Sequence, residues 1–191
     1  MKSLHARTWL AVKGRTPDAV CAALDLRPGM AVTNRRTFAL EGAASDAGWY
    51  LIVAEGQDHR LIQEPVLTGL SVGCEVLTCT VDERNLYSAA TGWANGRRLW
   101  SVSYNGEEQP GEVATEGDLP GVFPIIRQDY VTKSQAPDAG DLLLDPLFEI
   151  PIALVAHAVG YRPDEASRAF DGRFVLLEAN NPTFMQRLFG G

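Results

Sequence analysis

The sequence predicts an α+β fold: a mainly antiparallel sheet with a ferredoxin-like β-α-β-β-α-β start, a β-hairpin extension and a buried C-terminal helix. Three observations predict it. Short apolar runs broken by Gly, Pro and Asp recur through the first eighty residues. Asn95-Gly96 separates two strand-like segments. Ile152, Leu154, Val155 and Val159 make one helical segment apolar on nearly every side. The 191 residues are read as one α+β domain: sheet and helices over 1–105, an irregular acidic segment over 106–140, and helix, strand and tail over 141–191. A chain of this length buries roughly 70% of the surface its unfolded form exposes, enough for a core without metal or disulfide support.

In chain order, Thr8–Lys13 reads as a strand ended by Gly14. Thr16-Pro17-Asp18 then starts a helix, with a hydroxyl cap, Pro at the first helical position and a carboxylate in the first turn. Val20, Ala23 and Leu24 give that helix one apolar stripe, and it ends before Pro28-Gly29. Thr37–Ala43 and Trp49–Glu55 are two further strands, the second central because Trp49–Ala54 is apolar without a break. Arg60–Gln63 reads as a short strand, Pro65–Leu70 as a short helix and Cys74–Val81 as an alternating strand.

The strongest local signal follows. Asn95 and Gly96 both tolerate the positive φ of a type I′ turn, so Tyr87–Ala94 and Arg97–Tyr104 form a two-residue hairpin. Regular counting sets Trp93 opposite Arg98, Thr91 opposite Trp100, Ala89 opposite Val102 and Tyr87 opposite Tyr104. One face then gathers Tyr87, Trp93, Trp100 and Tyr104 with Arg98 and Val102. The other holds Ser88, Ala90, Gly92, Ala94, Ser101 and Ser103, interrupted by Leu99. Burying four rings is a strong reason to fold, so the aromatic face suits the core side of the sheet. Exposed, it suits an interface, with Trp93, Arg98, Trp100 and Tyr104 as anchors.

Residues 106–140 are turn-rich and carry Glu107, Glu108, Glu112, Glu116 and Asp118. So long a structureless loop is uncommon, which predicts either one or two short strands within it or a functional segment. Asp145-Pro146 and Ile150-Pro151 are two helix starts, predicting a single turn and then a main helix over Pro151–Val159 closed by Gly160. Phe174–Leu177 reads as a last strand and Asn180–Gly191 as a tail.

Charge is unevenly spread within a net −7. Residues 1–36 hold seven basic and two acidic side chains, a balance of +5, and the rest of the chain stands at −12. An acidic field repels phosphate backbones, so no nucleic-acid partner is expected. No segment reaches the roughly 18 apolar residues of a membrane helix, and Trp9–Val12 is too short for a secretory signal. No membrane association and a cytoplasmic setting are expected. Cys21, Cys74 and Cys79 fit it as buried thiols, three being odd and none in CxxC spacing.

Phosphate-loop, dinucleotide, nucleophile-elbow, zinc-protease and calcium-loop signatures are absent from the sequence, and no cofactor or metal is expected. Three weaker groupings are candidates for chemistry, and the first two supply the alternative of a small-molecule binder or enzyme with a pocket between the sheet and the C-terminal helix. His157 and Glu149 lie eight residues apart, about 12 Å along a continuous helix, too far for a direct hydrogen bond. Asp82-Glu83 are adjacent carboxylates that polar turn chemistry explains better than acid–base work. Asp138, Asp141 and Asp145 recur at helical spacing, which reads as a solvated acidic face. The pocket candidates are therefore His157, Glu149 and Glu83.

Several stretches together resemble a group of small bacterial proteins with no described activity: Trp9–Gly14 with the Thr16-Pro17 helix, Gly48–Val53, Leu70-Ser71 with Glu75–Cys79, Gly92–Gly96 and Phe148–Pro151. The resemblance runs over residues 8–161 and implies a bacterial setting, with no site residue to carry over. The reading that results is a non-catalytic cytoplasmic protein acting through protein–protein contact. An acidic inhibitor or immunity-type role with a basic partner suits its charge.

Overall fold

The computed structural model describes residues 6–31, 40–56, 60–136, 145–163, 170 and 173–180. It is an α+β fold built on one nine-stranded antiparallel sheet. The strands are β1 (Arg7–Lys13), β2 (Leu26–Ala31), β3 (Leu40–Ala44), β4 (Trp49–Glu55), β5 (Glu75–Asp82), β6 (Tyr87–Ala94), β7 (Arg97–Asn105), β8 (Val113–Gly117) and β9 (Val175–Ala179). Their order across the sheet is β2-β9-β3-β4-β1-β5-β6-β7-β8. Among the described residues four helices accompany them: α1 (Pro17–Ala23), α2 (Glu64–Leu70), α3 (Phe123–Ser134) and α4 (Glu149–Val159). None among the described residues is long and apolar enough to cross a membrane.

Side-chain alternation gives the sheet two apolar faces. Trp9 and Ala11 of β1, with Trp49, Leu51, Leu77, Cys79, Ala90 and Val102 from its neighbours, form a core with α3 and α4. Leu10, Val12, Tyr50, Ile52, Val76 and Trp93 pack on the opposite side with Val20, Cys21, Leu67 and Leu70 of α1 and α2. This is why Trp49–Ala54 is apolar throughout: β4 is buried on both faces.

The helix starts follow local chemistry. Thr16 Oγ1 accepts the Ala19 N–H at 3.3 Å ahead of Pro17. Asp145 Oδ1 accepts the Leu147 N–H at 2.9 Å, capping a 3₁₀ turn at Pro146–Phe148 that runs straight into α4. Gly160, at φ +75°, closes α4 by donating its N–H to the Ala156 carbonyl. The buried C-terminal helix thus forms with the two predicted starts in series.

Four expectations are corrected. Arg60–Ile62 is a 3₁₀ turn, not a strand, because Leu61 is buried and the chain must swing directly into α2. Leu26–Ala31 is a strand although Pro28-Gly29 looked like a break; it pairs with β9, a partner some 150 residues away. The acidic segment contains the expected strand, β8, and also the twelve-residue α3, whose start has no side-chain cap. The hairpin register is the fourth, and it decides the candidate site. Asp138, Asp141 and the tail from residue 181 lie outside the described residues.

Candidate functional site

The hairpin turn forms as predicted, with Asn95 at φ +51° and Gly96 at +74°. Ser71 at the end of α2 holds its tip, accepting the Asn95 N–H at its carbonyl and the Gly96 N–H at Oγ. Trp93 faces Arg98 as counted, but the next pair is Gly92 with Trp100. Leu99 is an extra residue on β7, a β-bulge that moves everything after it to the other face.

The predicted aromatic face is therefore split. Trp100, Val102 and Tyr104 join Gly92, Ala90 and Ser88 on the α3–α4 side, each large side chain beside a small one. A Cβ at residue 92 would run into the Trp100 indole, so only glycine fits beneath it. Trp93 lies on the opposite face under α2, its Nε1 donating to Thr91 Oγ1 at 2.8 Å. Exposure settles what remains at the surface: Trp93 is 4%, Trp100 7% and Tyr104 2% exposed. Of the four anchors only Arg98 is exposed, bound to Glu116 Oε2 at 2.9 Å. Both partners are solvated, so that bridge contributes little to stability.

Beyond Trp93, on the α1–α2 side, the sheet carries small and polar side chains. Tyr87, Ala89 and Thr91 of β6, Ser101 and Ser103 of β7, and Ala114 and Glu116 of β8 are half-buried or exposed there. With Arg98 they line a shallow groove of about 290 Å³. Glu107, Glu108 and Glu112 of the β7–β8 connection and Asp118 just after β8 are all exposed.

The alternative pocket residues lie elsewhere. Glu149 opens α4 and bonds Arg162 Nη2 at 2.7 Å, while His157 is exposed in the last turn of the same helix. Glu83 sits in the β5–β6 turn, where Asp82 Oδ1 accepts the Arg84 and Asn85 N–H groups. That turn and Glu149 share one end of the sheet, tied by Ser88 Oγ donating to the Phe148 carbonyl at 2.7 Å. His157 stays about 12 Å away along the helix. Cys79 is buried near Glu149, and burial above all pushes its thiol well up, so it holds its proton at neutral pH. Among the described residues no group of three His, Cys, Asp or Glu is placed to hold a metal ion.

Tyr104 links the hairpin to the C-terminal helix. Its hydroxyl donates to Asp145 Oδ2 at 2.8 Å, and burial, reinforced by that bond, pushes its ionisation up to about 12. The unfolded chain releases this proton near pH 10 while the folded chain keeps it, so stability falls as pH rises from about 10 to 12. Urea denaturation across that range is expected to show a gentler decline for Tyr104→Phe than for the parent; equal slopes would refute the assignment.

Comparison of the chain with protein-family models, with curated proteins and with solved structures finds no match.

Proposed function

We propose that this is a non-catalytic binding protein that acts through contact with another protein, using the β6–β8 end of its sheet. The observation that carries the reading is the groove lined by Arg98, Thr91, Ser101, Ser103 and Glu116, with exposed carboxylates in the segments that precede and follow β8. Small side chains there let a partner approach the backbone, and the exposed carboxylates favour a basic one. An acidic inhibitor or immunity-type protein of a bacterial cytoplasm is the role that suits this surface. In this reading Arg98 is the exposed anchor, with Trp93 opposite it across the β6–β7 pair and Trp100 and Tyr104 buried on the other face of the sheet.

The first eighty residues are read as a ferredoxin-like unit. The run β5-β1-β4-β3 supports this, with α1 and α2 on one side and β2 inserted in the connection after α1. Such a likeness carries no function.

The test is affinity purification of tagged protein from its own host, beside Ser103→Arg, which fills the groove without touching either core. A partner retained at stoichiometric level by the parent and lost by Ser103→Arg, at unchanged melting temperature, is the expected result. Absence of any stoichiometric partner, or equal retention by both proteins, would overturn the reading.

A further inference from the structure

We propose that the partner is recognised by strand addition: an extended, basic segment pairs with the outer edge of β8 and continues the sheet. This rests on the protein-contact reading above and names how the contact is made.

The sheet ends at β8, which is paired with β7 alone among the described strands. The Asp118 N–H donates to the Leu99 carbonyl at 2.9 Å, and this bond sets the alternation of the antiparallel ladder. Residues 114 and 116 bond inward to β7, so the backbone N–H and C=O of Val113 and Thr115 point outward. The two ends of the sheet differ in what they offer. On the opposite edge, β2 contains Pro28 and a register irregularity, and proline has no N–H for a ladder. No proline interrupts β8, and Ala114, Thr115 and Glu116 are exposed.

Charge selects the occupant. Residues 106–122 hold Glu107, Glu108, Glu112, Glu116 and Asp118 and no Lys or Arg. Among the described residues only Glu116 of these five forms a salt bridge, to Arg98. A second copy of the chain would lay one such acidic segment against another, in a molecule already at net −7. Like charges across a strand pair are destabilising, so this edge resists self-pairing and favours a basic strand. Ala114 and Glu116 face the groove, whereas Val113 and Thr115 face the α3 side. The partner strand should accordingly alternate, with basic side chains on the groove side and small or β-branched ones between them.

The probe is a fluorescently labelled octapeptide alternating lysine and threonine, titrated with the full chain and read by anisotropy. Thr115→Pro removes one outward N–H while leaving the inward bonds of residues 114 and 116 in place. It is expected to weaken binding about tenfold at unchanged melting temperature, the upper range for loss of one well-made hydrogen bond. The same peptide methylated on alternate backbone nitrogens should lose affinity by a like factor, a result that needs no change in the protein. If neither change weakens binding although added salt does, the peptide is held by surface charge alone and strand addition is overturned, while the protein-contact reading stands. Absence of peptide binding also overturns strand addition. Failure of the protein-contact reading is seen separately, in the absence of a partner sensitive to Ser103→Arg.

Discussion

Phe148→Ala is expected to lower the unfolding free energy by about 3–5 kcal/mol, the usual cost of truncating a fully buried aromatic side chain. Phe148 is completely buried, sits where the 3₁₀ turn becomes α4, and meets the Tyr104 ring edge-on at 6.5 Å between centroids. Its carbonyl also accepts the Ser88 hydroxyl, so one residue joins α4 to β6 by backbone and to β7 by side chain. The substitution keeps the carbonyl and empties only the ring's volume. Urea denaturation should show a lower midpoint at unchanged slope. A loss under about 1 kcal/mol would mean that α4 is held chiefly by its other contacts.

Gly92→Ala is the second large effect, about 2–3 kcal/mol in the range that overpacking of a filled core produces. Alanine in a strand is by itself better than glycine, so a net loss must come from the collision with Trp100. A double-mutant cycle isolates it: Trp100→Leu is destabilising alone, but Gly92→Ala on that background should cost far less than on the parent. Additive losses would refute the paired fit of residue 92 and the indole.

Those two residues also mark where sequence reasoning stops. The hairpin, its turn type and its strands were legible because Asn95-Gly96 needs only local φ preferences to act. The bulge at Leu99 was not, since no residue there demands it. A signal did exist in the pattern of sizes. Regular pairing sets Thr91 against Trp100, whereas a one-residue shift sets Gly92, Ala90 and Ser88 against Trp100, Val102 and Tyr104, large beside small. Packing density decides between the two, and packing is felt only once α3 and α4 lie on that face.

The candidate site was legible to the same degree. Arg98 and the acidic run could be named from the sequence, but their meeting across β7 and β8 required a strand at Val113–Gly117. Five residues ending in Gly117, with one side half-buried at best, carry almost no hydrophobic periodicity. α3 escaped for a related reason: only Phe123 is fully buried, so its apolar stripe is weak.

What the sequence determined alone is the set of features that short-range chemistry encodes. These are the capped start at Thr16, the I′ turn, the doubly buried β4, the serial helix starts at Asp145-Pro146 and Ile150-Pro151 and the stop at Gly160. The tertiary structure alone decided the pairing of β2 with β9, the bulged register that buries Trp93 and Trp100 on opposite faces, and the place of β8 at the edge of the described sheet. Each of these depends on a partner distant in the chain or on how volumes fill a shared core. Neither is a property of any one segment, so both become visible only when the segments are packed together.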